Sequence, residues 1–231
     1  MTSAPDGEPR DALRELVAVM DRLRSPGGCP WDAAQTHTTL LPYLLEESHE
    51  LTEAVEADDR AGLREELGDV LLQVVFHARI AAEHPDDPFD VDDVAAELVA
   101  KLVRRHPHVF GDVQVGSMAG LHTQWDRIKR AEKDRTSALD GVPGSLPALA
   151  RAQKIASRAA RAGLDAPTPS DDHLGAALLD LVRRAHADGV DAEGALRRTT
   201  AAWEAALRRT ETAAGSGEAS GADPAAGAAG A

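Results

Sequence analysis

From Leu40 to Ala81 apolar residues return every three to four positions in two consecutive runs, and neither run alternates apolar with polar as a strand would. Such spacing commits the segment to two long helices, and the acidic break at Asp58 and Asp59 makes them an antiparallel hairpin. The rest of the chain follows the same pattern. Helical periods cover about 10–24, 37–57, 60–84, 91–106, 117–135, 147–162, 172–188 and 191–211, separated by Pro- and Gly-rich breaks such as "SPGGCPWDAAQT", "HPDDPFD" and "HPHVFGDVQVG". The expected fold class is all-α.

The charge balance limits the partners. Lysine and arginine number 25 against 39 acids, a net charge of −14, which repels nucleic acid polymers and anionic membrane surfaces. No stretch reaches the roughly 20 apolar residues of a bilayer span. The single cysteine, Cys29, has no internal disulfide partner, and "MTSAPDGEPR" has no secretory apolar run. A cytoplasmic protein without nucleic acid or membrane partners is expected.

Acids interrupt the apolar runs. On a helical wheel Leu40, Leu44, Leu51 and Val55 form one arc, with Glu47 inside it between Leu40 and Ala54, and Glu50 at its edge. Glu46, His49, Glu53 and Glu56 lie on the opposite, solvated side. In the next helix Leu63, Leu67, Val70, Val74 and Ala81 line one side and Leu72 and Phe76 nearly the other, which predicts a buried helix. Through it runs a polar stripe of Glu66, Asp69, Gln73 and His77. Gly68 suggests a closely packed neighbour.

Folding about Asp58–Asp59 brings Glu50 level with Glu66 and Glu47 level with Asp69. At about 5 Å and an effective dielectric near 20, each pair repels by roughly 3 kcal/mol. A divalent cation resolves that conflict, and an all-oxygen set without cysteine favours Mg²⁺, with Mn²⁺ as substitute. His77 and Gln73 read as supports rather than ligands.

The blocks "GCPWDAAQT", "YLLEESHEL", "LREELGDVLLQVVFHA", "KLVRRHPHVFGD" and "QWDRIKRAEK", in this order across about residues 13 to 135, resemble the MazG nucleoside triphosphate pyrophosphohydrolases. The resemblance implies an all-α, Mg²⁺-dependent enzyme that cleaves nucleoside triphosphates between the α and β phosphates, as nucleotide-pool house-cleaning. It implies a homodimer or a dimer of dimers, with four-helix bundles sharing helices across the dimer. By motif match Glu47, Glu50, Glu66 and Asp69 are the metal ligands, and Glu47 and Glu50 are the candidate proton acceptors. The resemblance also assigns the pairs Lys101 with Arg105 and Trp125 with Lys129 to substrate; each pair lies four residues apart on one helical face. Trp31, after the rigid "GCP", is a candidate to close over the base or to staple a helix entry. Arg104, His106 and His108 read as structural.

This family often carries two such domains in tandem, so residues 1–136 are expected to form the catalytic domain and 137–211 a faded second copy. "HLGA", His173 to Ala176, stands where the second copy would carry its acids, and alanine stands near Trp203 where a phosphate-binding lysine is expected. From Thr212 to Ala231 the chain lacks large apolar residues and reads as a disordered tail. Two other classes compete with the hydrolase. One is a carboxylate-bridged di-iron bundle using Glu46 and His49; the other is a non-enzymatic regulator that binds nucleotide or a partner protein.

Overall fold

The computed structural model describes residues 11–113, 116–117, 120–121, 124–125, 127–128, 132, 136–169 and 171–218. Among these every regular element is helical. They group into two compact units, Met1–Trp125 and Asp126–Ala231.

The first unit contains α1 (Ala12–Arg24), α2 (Pro30–Ala34), α3 (His37–Glu56), α4 (Arg60–Ala81), α5 (Val91–Arg105) and α6 (Pro107–Phe110). Side-chain caps fix the starts of the long helices. Asp11 accepts from the Arg14 amide, Asp59 from that of Ala61, and Asp90 from those of Asp92 and Asp93. At α3, Thr36 and Thr39 exchange side-chain and backbone hydrogen bonds. Each such cap contributes about 1 kcal/mol by satisfying an amide the helix leaves open. The hairpin turn falls at the expected acids. Asp58 takes a left-handed φ of 53°, which the short aspartate side chain tolerates, and Asp59 then caps α4.

α4 is the hub, packing against α1, α3 and α5. The core is Met20 from α1, Leu40 from α3, and Val75 and Phe76 from α4, with Leu16, Val17, Leu71, Leu72, Ile80 and Val91 packed around them. Full burial of Met20 or Leu40 stabilises by about 1.5–3 kcal/mol each.

Five expectations need correction. α4 is not buried all round: Leu67 and Val74 are 52% and 42% exposed, and Val55, expected on the inner arc of α3, is 59% exposed. The core lies on one side of α4 only. No atom crowds the position of a Cβ at Gly68, so the packing inferred there does not occur within the described chain. The Pro- and Gly-rich loop after α1 contains α2, because Pro30 pre-sets the first helical φ. Pro107 likewise starts a short helix rather than only ending one.

In the second unit α7 (Ala148–Ala162) packs on α8 (His173–Ala187), and α9 (Ala192–Glu218) touches both. Gln153 joins two of these elements by donating to the Val190 carbonyl and accepting from the Ala192 amide. α9 continues to Glu218, past the expected boundary at Thr212, although that last stretch, "TAAGSGE", holds two glycines. Residues 219–231 lie outside the described residues.

Candidate metal centre

Glu47 lies on α3 between the turns that bury Leu40 and Ala54, so its side chain is drawn toward α4. On α4, Glu66 and Asp69 sit one turn apart on the face that meets it. The outcome is a three-carboxylate grouping in which ligand oxygens of Glu47, Glu66 and Asp69 all lie within 4.8 Å of one another, each residue half-buried. Glu66 Oε2 is buried and has no hydrogen-bond partner. An acceptor withdrawn from water without a donor is costly unless a cation completes it.

Electrostatics agree with that geometry. Burial, followed by the charges of Asp69, Glu50 and Glu46, holds the Glu47 carboxyl above the usual glutamate range. Burial also raises Glu66, with Glu50, Asp69, Glu65 and Glu47 adding to the effect. These directions mark a site built against its own charge, which an oxygen-seeking dication relieves.

Glu50 is exposed and outside the grouping of three, although its charge acts on both Glu47 and Glu66. The turn about Asp58 thus closes the rung of Glu47 with Asp69 and admits Glu66, while Glu50 stays at the rim. Glu46 and His49 are exposed on the other face, as the wheel requires, and neither joins the grouping. The di-iron arrangement has no support among the described residues.

Further along the polar stripe, Gln73 is 5% exposed and its Oε1 has no partner. His77 stacks on His37 with ring centroids 5.1 Å apart and Nδ1 atoms 2.8 Å apart, so one ring donates to the other. Burial, and then the neighbouring His37, lowers the pKa of His77 below the ordinary histidine value. The unfolded chain takes up that proton near pH 6.5 while the folded one resists it, so this stability contribution is present above about pH 6.5 and is lost as pH falls toward the depressed value. Wild-type protein should therefore lose thermal midpoint relative to His77→Gln as pH is lowered from 7.5 to 5.5; parallel curves would refute the assignment.

Trp31 in α2 is 50% exposed and stands edge-on to Tyr43 at 5.9 Å and to Phe76 at 6.4 Å. Lys101 and Arg105 are half-buried one turn apart on α5, a helix that packs on the α4 carrying two of the acids. Trp125 is half-buried, donates its indole N–H to the Arg105 carbonyl at 2.9 Å and sets its ring across that of His106. Both contacts tie it to the end of α5. Lys129 lies outside the described residues. His106 bonds back to the Leu102 carbonyl, in keeping with a structural reading of that block.

Two residues escaped the sequence reading. Arg24, whose side chain is 7% exposed, ties the loop around α2 to the end of α4, and His37 partners His77. The available signal for Arg24 was its spacing of four and seven residues from Met20 and Val17, which puts a cation on the buried stripe of α1.

The hairpin that carries these acids falls within a region similar to known proteins. The family model described as the MazG nucleotide pyrophosphohydrolase domain matches residues 35–110, the span of α3 through α6. The nucleoside triphosphate pyrophosphohydrolase/pyrophosphatase MazG of Thermotoga maritima is 38% identical, with 86% of this chain and 85% of that protein covered. The nucleoside triphosphate pyrophosphohydrolase of Escherichia coli K12 is 48% identical over 66% of this chain but only 59% of its own length. A Streptomyces cacaoi protein known only as an uncharacterized 26.1 kDa protein is 51% identical, with 88% and 84% covered. The chain belongs to the MazG family.

Proposed function

We propose that this protein hydrolyses nucleoside triphosphates between the α and β phosphates, releasing nucleoside monophosphate and pyrophosphate, in nucleotide-pool house-cleaning. The observation that carries the reading is the convergence of Glu47, Glu66 and Asp69 oxygens within 4.8 Å. Family membership supports the substrate class, since the Escherichia coli and Thermotoga relatives carry that activity in their names.

Glu47, Glu66 and Asp69 would hold Mg²⁺, or Mn²⁺ in its place, through oxygen atoms alone, and the orphaned Glu66 Oε2 fits such a role. When bound, the ion supplies charge neutralisation for the triphosphate and an acidified water. Glu50 is the better proton acceptor of the two candidates, because it lies beside the grouping without being enclosed in it. Lys101 and Arg105 supply the cations that a chain of net charge −14 must concentrate locally to hold a polyphosphate. Trp31 offers an exposed indole to the base, and Trp125 with Lys129 completes the substrate set by motif match. The second unit, with no comparable acid grouping among its described residues, serves packing or assembly.

We further propose that the active form is a homodimer. Leu41, Leu45 and Val55 on α3 and Leu67 and Val74 on α4 are all at least 40% exposed in the single chain. Apolar rows of this extent on a helical hairpin are what a second hairpin covers.

The deciding experiment incubates the purified protein with each nucleoside triphosphate and Mg²⁺ and separates the products. Monophosphate and pyrophosphate in equal amounts are expected, with no turnover after chelation. Diphosphate with free phosphate, or no product from any base, would overturn the reading.

A further inference from the structure

We propose that Arg24 is a positioning residue that fixes Trp31 against Tyr43 and Phe76 and so sets affinity for the nucleoside end of the substrate. The inference rests on the nucleotide reading above and concerns a residue outside the acid grouping.

Arg24 commits nearly its whole guanidinium. Nε and Nη2 form a two-pronged pair with the Glu83 carboxylate, both at 2.8 Å, and Nη1 donates to the backbone carbonyls of Asp32 at 2.7 Å and Gln35 at 3.0 Å. Its carbon lies 5.9 Å from the centroid of the Phe76 ring. The two carbonyls bracket the end of α2, and Asp32 is next in chain to Trp31. Gln35, itself buried, returns the hold: its Nε2 donates to the Trp31 carbonyl at 3.0 Å while its Oε1 accepts from the Thr39 hydroxyl at 2.7 Å. At the other end of the loop the Cys29 amide bonds to the Leu23 carbonyl, and a Cβ on Gly28 would collide with the backbone of Arg22 and Leu23. The loop is thereby pressed onto the end of α1 with Arg24 as its pin.

What this pin holds is a half-exposed indole in contact with both hairpin helices. Tyr43 precedes Glu47 by one helical turn, about 6 Å of rise, and Phe76 follows Asp69 by two, about 10 Å. An aromatic surface that far from the acids is spaced to take a base while phosphates reach the carboxylates. An arginine suits the pin because its planar fork meets a carboxylate and two carbonyls simultaneously, which an ammonium does not. Glu83 also accepts from Arg79 at 2.8 Å, so removing Arg24 does not leave that carboxylate alone.

The test uses the full chain carrying 5-fluorotryptophan, whose three tryptophans give separable ¹⁹F lines; the Trp31 line is identified by its loss in Trp31→Phe. Arg24→Met and Arg24→Lys should each shift or broaden the Trp31 line and leave the Trp125 and Trp203 lines in place. Each should raise KM for a nucleoside triphosphate about tenfold with kcat within about twofold. In a Trp31→Ala background the same substitutions should add less than about twofold. An unmoved Trp31 line, full recovery of KM by lysine, or an undiminished effect without Trp31 would overturn the proposal. Should Arg24→Met fail to fold, Arg24→Lys, which keeps the charge, decides alone. Absence of pyrophosphate release by the wild type would instead refute the proposed activity, and the ¹⁹F arm still decides whether Arg24 sets the position of Trp31.

Discussion

Glu47→Gln is expected to reduce pyrophosphate release by roughly a thousandfold, the scale on which a group that stabilises developing charge is felt when deleted. Glutamine keeps the volume and removes only the charge, so the packing of α3 is preserved. Glu47 is held above its ordinary pKa by burial and by Asp69, Glu50 and Glu46, which means that its ionised form opposes folding when no cation is bound. The neutral variant should therefore melt no lower than wild type in the presence of chelator, and the stabilisation that Mg²⁺ gives the wild type should shrink. Opposite movements of activity and metal-free stability separate a functional acid from a structural one. Glu46→Gln, on the exposed face of the same helix, should leave both unchanged. Measured kcat/KM for Glu47→Gln within tenfold of wild type would remove Glu47 from the site.

The legible parts of the fold were those governed by periodicity. Spacing alone places α3 and α4, their turn at Asp58 and Asp59, and the inward direction of Glu47, because the angle between successive side chains on a helix is fixed. Single-helix wheels do not report distance between helices, and this is why Glu50 and Glu66 looked equivalent. One enters the grouping while the other stays at the rim. Wheels also cannot say what covers an apolar face. Leu67 and Val74 read as core for the same reason that Phe76 did, yet only Phe76 is covered by neighbours in its own chain. A basic residue in the last turn of a helix ordinarily partners the helix dipole, whereas the Arg24 side chain lies buried and serves backbone carbonyls beyond the helix. Long-range pairings such as Arg24 with Glu83 and His37 with His77 span 59 and 40 positions and leave no local spacing to detect.

Leu67→Glu is expected to convert the proposed homodimer, of twice 24.4 kDa, into a monomer and to lower activity more than tenfold with all three clustered acids intact. Leu67 and Val74 lie seven residues apart, on one line of α4, and that line adjoins the stripe bearing Glu66. A twofold-symmetric interface meets every substitution twice. If burial of one leucine contributes about 1.5–3 kcal/mol, its loss from both copies removes about 3–6 kcal/mol, or roughly 10² to 10⁴ in dissociation constant, before the penalty for burying two glutamates is added. Light scattering coupled to size exclusion reads the mass, and the pyrophosphate assay on the same fractions reads the activity. Because Leu67 is 52% exposed in the single chain, the monomer should remain folded, with helical circular dichroism close to wild type. A variant that stays dimeric and active would mean that this face is covered by something other than a second copy. A monomer with undiminished turnover would mean that each hairpin is a complete site by itself, and that the exposed row on α4 serves assembly alone.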